Sequence, residues 1–255
     1  VQKVNGRVLH CIRMRDDTAQ QRYLRLVERY NDELAQQVEE KTARLMEVQN
    51  DIIVSMASIV ENRDNDTGGH IRRTSDVVRV FTEHLLESGS LPELSAAASM
   101  RIIEAAPLHD FGKIAIPDSI LNKPGKFTPE EYEAMKQHAE KGAVIVAQIL
   151  QNSDDAQFKR TAVNIAHYHH ERWDGSGYPN GLAGEQIPLE ARIMALADVF
   201  DALVSKRVYK EMYSFDVAFG IIEGSSGSHF DPALCREFLQ CRPQVEALYR
   251  AEGVE

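Results

Sequence analysis

From Leu24 to Ile52 the chain repeats an alternating three-and-four spacing: Leu24, Val27, Asn31, Leu34, Val38, Lys41, Leu45, Val48 and Ile52, with no glycine or proline between. Seven of those nine positions are apolar, a pattern that lines up only on a helix. Sustained over more than four heptads beside charged flanks such as Glu39, Glu40 and Arg44, it reads as a coiled-coil seam with Asn31 and Lys41 as its polar positions. The same spacing would also serve a helix packed on its own domain. No segment of any length alternates with period two, so the expected fold class is all-α, without internal repeats.

The helical pattern continues through Ile53, Met56 and Ile59 and breaks at Gly68 and Gly69. An amphipathic stretch follows, with Val77, Val78, Val80, Phe81, Leu85 and Leu86, and residues 100–111 read as a helix ending in His109-Asp110. Thr128-Pro129-Glu130-Glu131 is a capping box with proline at the first helical position. The helix it starts is expected to carry His138 in its last turn or beyond, with Gly142 separating it from the apolar segment Ala143–Leu150. Ala162–His170 is helical in pattern, and Leu189–Ser205 returns to that periodicity. Between them Glu171–Gly184 holds four glycines, a long loop of the kind that is usually functional. Ser214 and Asp231-Pro232 look like caps of two further helices.

With 255 residues, 43% of them hydrophobic, the chain can bury a sizeable core. Its formal charge of -10 argues against general nucleic-acid binding, because phosphate backbones are held by surplus Lys and Arg. An anionic substrate would need a local positive source, and bound divalent cations are one. Cys11, Cys235 and Cys241 form no CxxC pair and are odd in number, which speaks against a disulfide framework or thiolate zinc and for a reducing cytoplasm. No apolar run approaches the roughly 18 to 20 residues of a membrane span, and no signal peptide is present. The chain starts at Val1 rather than Met and is expected to be a fragment, with any anchor or sensor upstream of it.

The chemistry-bearing stretch is Pro107–Lys113. Helical neighbours point about 100° apart, so His109 and Asp110 chelate one ion poorly, but a carboxylate has two oxygens and can touch two cations. A metal pair suits them, with Asp110 bridging and Lys113 directed at whatever the metals hold. Five of nine histidines, His70, His109, His138, His169 and His170, sit at helix ends or beside glycine loops near acidic residues. Any one alone is more often an ordinary polar residue. With Asp110 and Asp198 they form a sulfur-free set that suits Fe, Mn, Ni or Zn in a hydrolytic site. His10, His84, His167 and His229 lack such a setting and read as surface or satisfied core residues.

The combination of His109-Asp110-Phe-Gly-Lys113, His169-His170-Glu171-Arg-Trp-Asp-Gly-Ser-Gly177-Tyr178-Pro179 and Ala197-Asp198-Val-Phe-Asp201-Ala202-Leu203 resembles the HD-GYP family, the cyclic-di-GMP phosphodiesterase branch of the HD superfamily. The likeness extends from about residue 55 to 245. It implies an HD-superfamily helical bundle, here preceded by a long coiled-coil helix, and a phosphodiesterase that opens cyclic di-GMP to pGpG, and onward to GMP, by metal-activated hydroxide attack. Position by position it implies His70, His109, Asp110, His138, His169, His170 and Asp198 as metal ligands for two divalent ions, iron first, with manganese or nickel as alternatives. Asp66 stands where some members place a glutamate ligand for a third metal; its shorter side chain leaves that ion open, and it would equally serve as a solvated loop residue. Asp110 and Lys113 are the expected catalytic residues, and Lys113, Tyr178, Arg207 and Lys210 the expected substrate contacts. Arg207 and Lys210 would otherwise be solvated charges. Asp201 reads as an orienting or packing residue, and Trp173 and Asp174 as residues that order the loop.

The resemblance also divides the chain: residues 1–17 as the tail of an upstream receiver domain, 18–54 as a coiled-coil linker, and 55–255 as the catalytic domain. A homodimer through the N-terminal helix, driven by an upstream receiver or sensor, is the expected arrangement. The competing reading is a catalytically weak module that binds cyclic dinucleotides or partner proteins. A third keeps the enzyme but changes the substrate to another cyclic dinucleotide or a nucleotide monophosphate.

Overall fold

The computed structural model describes the backbone of residues 2–4 and 7–9, together with residues 18–63, 69–205 and 212–251. They fall into two compact units, residues 1–49 and 50–255. In the first, β1 (Gln2–Val4) pairs antiparallel with β2 (Arg7–Leu9), Lys3 opposite Val8. Sequence periodicity gave no sign of this hairpin, because three-residue strands are too short to display alternation. The rest of residues 1–17, where a receiver tail was expected, lies outside the described residues. Helix α1 (Thr18–Glu61) is unbroken over 44 residues, as expected where neither glycine nor proline interrupts the run. Its Leu24, Val27, Leu34, Val38, Leu45, Val48 and Ile52 are all exposed, whereas Ile53, Ala57, Val60 and Glu61 near its C-terminal end are buried.

The second unit is all-α. Helices α2 (His70–Ser88), α3 (Ala96–Ala105), α4 (Asp118–Leu121), α5 (Pro129–Ile149), α6 (Ala156–Tyr168), α7 (Leu189–Val204), α8 (Phe215–Gly224), α9 (Pro232–Gln240) and α10 (Arg242–Ala251) surround one apolar core. Val77, Val78, Phe81 and Leu85 of α2 recur at helical spacing and meet Ile193, Leu196 and Phe200 of α7 in that core. Phe81, Phe200, Phe219 and Phe238 pack edge-on or tilted, with centroids 4.7 to 5.8 Å apart. Each such buried side chain contributes roughly 1.5–3 kcal/mol of transfer free energy. The caps read from sequence are formed: Thr128 Oγ1 accepts from Glu131 N, Ser214 caps α8, and the Asp231 carboxylate accepts from Ala233 N and Leu234 N.

Several boundaries differ from expectation; α6, for one, begins at Ala156 where Ala162 was expected, and two differences bear on the site. The helix before His109 ends early: α3 stops at Ala105, the 3-10 turn Ala106–Leu108 follows, and a second, Phe111–Ala115, starts after Asp110. Pro107 has no N–H to extend the α-ladder, which is the physical reason for the change. His138 and Gly142 lie inside α5 rather than at its end, because Gly142 is used for close packing and not for termination. A Cβ on Gly112 would fall 1.8 Å from the His138 carbonyl oxygen and 2.6 Å from Gly142 N. The bare backbones of these two glycines therefore press the His109-Asp110 corner directly onto α5.

Candidate metal centre

Seven side chains that the sequence scatters over 129 positions come together where α2, the His109-Asp110 corner, α5, α6 and α7 meet. They form two adjoining sets: His70, His109 and Asp198, and Asp110, His138, His169 and His170, with ligand atoms in each set within 4.8 Å of one another. Asp110 faces both. Its Oδ1 lies 3.4 Å from His138 Nε2 and 3.7 Å from His169 Nε2, while its Oδ2 lies 3.5 Å from His109 Nε2. In the first set His70 Nε2 stands 3.3 Å from His109 Nε2 and 3.5 Å from Asp198 Oδ1.

The rings are aimed by their far nitrogens. The Nδ1 atoms of His109, His138 and His169 lie 2.9, 2.7 and 2.9 Å from the carbonyl oxygens of Ala106, Met135 and Ile165. A carbonyl only accepts, so each Nδ1 carries the proton and each Nε2 turns a lone pair to the centre. His70 Nδ1 instead meets a carboxylate, Asp201 Oδ2, at 2.7 Å. Asp201 also accepts from Arg73 Nε at 2.6 Å, Ser205 Oγ at 2.9 Å and the Tyr249 hydroxyl at 2.9 Å. Burial alone would raise the Asp201 carboxyl, but the bonds from His70 and Arg73 outweigh it and hold it below the ordinary carboxylate range. The backbone N–H of His70 donates to the buried Glu61 Oε1 at 2.7 Å, which anchors the start of α2 to the end of α1.

Individual rings of the centre are shifted in opposite directions. Burial pushes His138 down to about 4, and burial together with the charges of His169 and His138 pushes His170 well down. For His109 burial acts downward too, yet the adjacent Asp110 charge and hydrogen bond overcome it and raise the ring. Asp110 is held well below its usual value; burial opposes this, and Lys113 and His109 prevail. Lys113 Nζ lies 2.9 Å from Asp110 Oδ2.

These residues fit divalent cations. Among the described residues, the buried Nε2 atoms of His138 and His169 have no hydrogen-bond partner, although an unsatisfied buried polar nitrogen costs roughly 1–3 kcal/mol. A lone pair kept dry, deprotonated and aimed at a carboxylate oxygen is what a metal ligand requires. The nitrogen and oxygen donors, with no sulfur, suit Fe, Mn, Ni or Zn.

The glycine-rich loop closes one side. The buried Glu171 holds it from within, Oε1 accepting from Asn180 N at 2.7 Å and Oε2 from Leu182 N at 3.0 Å. A Cβ on Gly177 would lie 2.3 Å from Arg172 N, so only glycine lets the strand fold back there. Tyr178 N then donates to His170 O at 3.2 Å, and the Tyr178 ring rests 4.7 Å from the His170 ring. Burial raises the Tyr178 hydroxyl above its usual value, with Tyr132, Asp110 and Asp198 adding to the effect. Trp173 N and Asp174 N donate to His229 O and Ser228 O, and the Asp174 carboxylate caps Ser176 N, which agrees with their expected part in ordering the loop.

Asp66, Arg207 and Lys210 lie outside the described residues. Of the histidines read as ordinary, His84 pairs with Glu237 at 3.3 Å, His167 stacks on Tyr168, and His10 lies outside the described residues. His229 stacks on Phe230 and is depressed to about 4 by burial and by Arg172. Glu61, Arg73 and Tyr249 were not singled out in the sequence. Glu61 had a signal, an acidic residue closing a buried apolar pattern; Arg73 and Tyr249 had none, because their role depends on meeting Asp201 from distant helices.

Residues 47–234 match the protein-family model described as HD domain. A protein of Vibrio cholerae serotype O1 named cyclic di-GMP phosphodiesterase is 47% identical over 200 residues, 77% of this chain and 40% of its own length. The cyclic di-GMP phosphodiesterase response regulator RpfG of Xanthomonas campestris pv. campestris is 42% identical over 238 residues, 93% of this chain and 57% of its own. The chain thus spans about half the length of these curated relatives. The crystal structure of a V. cholerae cyclic GMP-AMP-specific phosphodiesterase superposes with a TM-score of 0.54 at 20% identity, covering 80% of this chain and 53% of that one, a likeness of fold.

Proposed function

The chain belongs to the HD domain family, and from that premise we propose that it is a metal-dependent phosphodiesterase that hydrolyses cyclic di-GMP to pGpG and onward to GMP. The observation that carries the reading is Asp110, with one carboxylate oxygen toward each of two adjoining ligand sets. His70, His109, Asp198 and Asp110 would hold one cation, and Asp110, His138, His169 and His170 the other. When bound, such a pair supplies Lewis acidity toward a phosphoryl oxygen and makes water a nucleophile near neutral pH. Iron is the first choice and manganese or nickel the alternatives; Asp66 would serve a third ion where one is held and is otherwise a solvated loop residue.

The chain's own residues do the rest. The burial that keeps the His138 and His170 rings neutral, and the ionised Asp110, keep that side of the centre ready for a cation without a proton having to leave first. Lys113, beside Asp110, is placed to offset charge that grows on the phosphoryl oxygens as the ribose 3′-oxygen departs. Tyr178, Arg207 and Lys210 contact the dinucleotide, the arginine able to grip a phosphate with two donors and the lysine acting as a point charge. The relatives named cyclic di-GMP phosphodiesterases support this substrate. The full ligand set speaks against a module without useful turnover.

We further propose residues 1–17 as the tail of an upstream receiver domain, 18–54 as a coiled-coil linker and 55–255 as the catalytic part. A homodimer through α1 is supported by its exposed apolar seam, including Leu45 at 69% and Val38 at 57% exposure. The reducing cytoplasm is supported by Cys235 and Cys241, both buried and unpaired; no helix among the described residues is long and apolar enough to cross a membrane.

The test is turnover of cyclic di-GMP by anaerobically purified protein with ferrous iron or manganese, against a chelated control, with products identified. Chelation should abolish turnover, and Asp110→Ala should lower it by about a hundred- to a thousandfold or more, a loss no smaller than that of one preorganised charge-stabilising group. An Asp110→Ala enzyme with intact metal content and near-full turnover would remove the bridging role.

A further inference from the structure

One turn before the metal-facing segment of α5, two residues stand out that neither the motifs nor the ligand sets use. Tyr132 is an aromatic ring left 49% exposed on α5, one turn before Lys136 on the same face. Lys136, at the next turn, holds its ammonium 5.4 Å from the Tyr132 ring centroid and 5.7 Å from that of Tyr178. Tyr178 in turn lies 4.7 Å from the His170 ring and 6.3 Å from the His138 ring. An unbroken line of contacts thus leads from the metal ligands to an open aromatic face, with a cation between two rings. Among the described residues the one acidic partner of Lys136 is Glu133 at 2.7 Å, which is 68% exposed, and such a pair is readily exchanged for another acceptor.

We propose that Tyr132, Lys136 and Tyr178 form a purine subsite at the mouth of the centre, in which one nucleobase of the dinucleotide stacks on Tyr132 and its acceptor edge meets the Lys136 ammonium. The proposal rests on the phosphodiesterase reading and adds base selection to it. Stacking itself tolerates any base, because every base has a π-face. Selection comes from Lys136. Guanine presents two acceptors, O6 and N7, on one edge, whereas adenine presents N7 beside an amino donor that a cation repels. The subsite therefore favours guanine over adenine.

The experiment uses the metal-loaded full chain and three probes: cyclic di-GMP as substrate, cyclic di-AMP as competitor, and bis(p-nitrophenyl) phosphate as a diester without a purine. Tyr132→Ala should raise KM for cyclic di-GMP by about tenfold, the scale of one lost base–aromatic stack, with kcat within about twofold. Tyr132→Phe should restore KM, because the ring and not the hydroxyl is used. Lys136→Gln should narrow the preference for cyclic di-GMP over cyclic di-AMP by about fivefold or more, within the range of a base-edge contact. Cleavage of the nitrophenyl diester should be unaffected in each variant. An unchanged KM in Tyr132→Ala, an unchanged base preference in Lys136→Gln, or a parallel loss of nitrophenyl diester cleavage would overturn the subsite. If the unsubstituted enzyme cleaves neither diester, it is the phosphodiesterase reading that fails. The subsite is then decided by titrating cyclic di-GMP into the metal-loaded protein: a tenfold loss of affinity in Tyr132→Ala upholds it, and equal affinity overturns it.

Discussion

The two halves of the candidate metal centre are built by different means. In the set of Asp110, His138, His169 and His170, two rings are aimed by carbonyl oxygens of their own helices, Met135 in α5 and Ile165 in α6. That half is local: once α5 and α6 form and pack, its geometry follows. In the set of His70, His109 and Asp198, His70 is aimed by Asp201, which is itself held by Arg73, Ser205 and Tyr249 from α2, the end of α7 and α10. That half is assembled from distant parts of the chain, and a carboxylate behind the ring makes the imidazole a stronger ligand. One half thus depends on helix packing, and the other, apart from His109, whose ring is aimed by the local Ala106 carbonyl, on a buried charge network.

The largest effect is expected where the local half is packed. Gly112→Ala drives a Cβ into the His138 carbonyl, and the corner must move away from α5. A loss of about 3 kcal/mol is expected, the upper end for overpacking, and thermal denaturation should show a fall of roughly 6–12 °C for a unit of this size. A melting point within one degree of the parent would show that the corner is not in tight contact.

Acid should separate the halves next. In metal-free protein His138 has a folded value of about 4 against an ordinary 6.5, so between those pH values the unfolded chain takes up a proton that the folded chain refuses. Its stabilising contribution is complete above 6.5 and falls as the pH drops toward 4, with His170 acting in the same sense. His109, raised in the folded state, acts oppositely: its contribution is present below the ordinary value and lost as pH rises through the raised one. Denaturant titrations of chelated protein from pH 7 to 4.5 should show a net loss on the order of 2–3 kcal/mol, smaller in His138→Gln. A flat profile would contradict the assignment of neutral, dry rings to the local half.

The smallest expected effect tests the networked half alone. Asp201→Asn keeps the shape but removes the charge behind His70, and the affinity of one ion of the pair should fall about 10- to 100-fold while the other is retained. Metal analysis against a graded chelator reads this as two steps where the parent shows one. Loss of both ions together would mean the halves are not separable.

Residue chemistry made the ligands legible in the sequence: imidazoles and carboxylates beside glycines and helix caps have few other uses in such density. The long helix α1, the Thr128 capping box and the Asp231 cap were legible for the same reason, since each is decided within one or two turns of chain. The position of His138 inside α5 was not, because Gly142 reads locally as a break and only its contact with Gly112 explains it. Nor was the corner at Pro107, where one missing N–H replaces an α-helix with two tighter turns.

By itself the sequence determined which groups are available and where the capped helices α5, α8 and α9 begin, because donor type, spacing and capping act between neighbours. Only the tertiary structure decided that seven of those groups divide into two sets sharing Asp110, and that Asp201 stands behind one of them. Those are distances between residues far apart along the chain. They are set by how α2, α5, α6, α7 and α10 close on a common core, which no local pattern specifies.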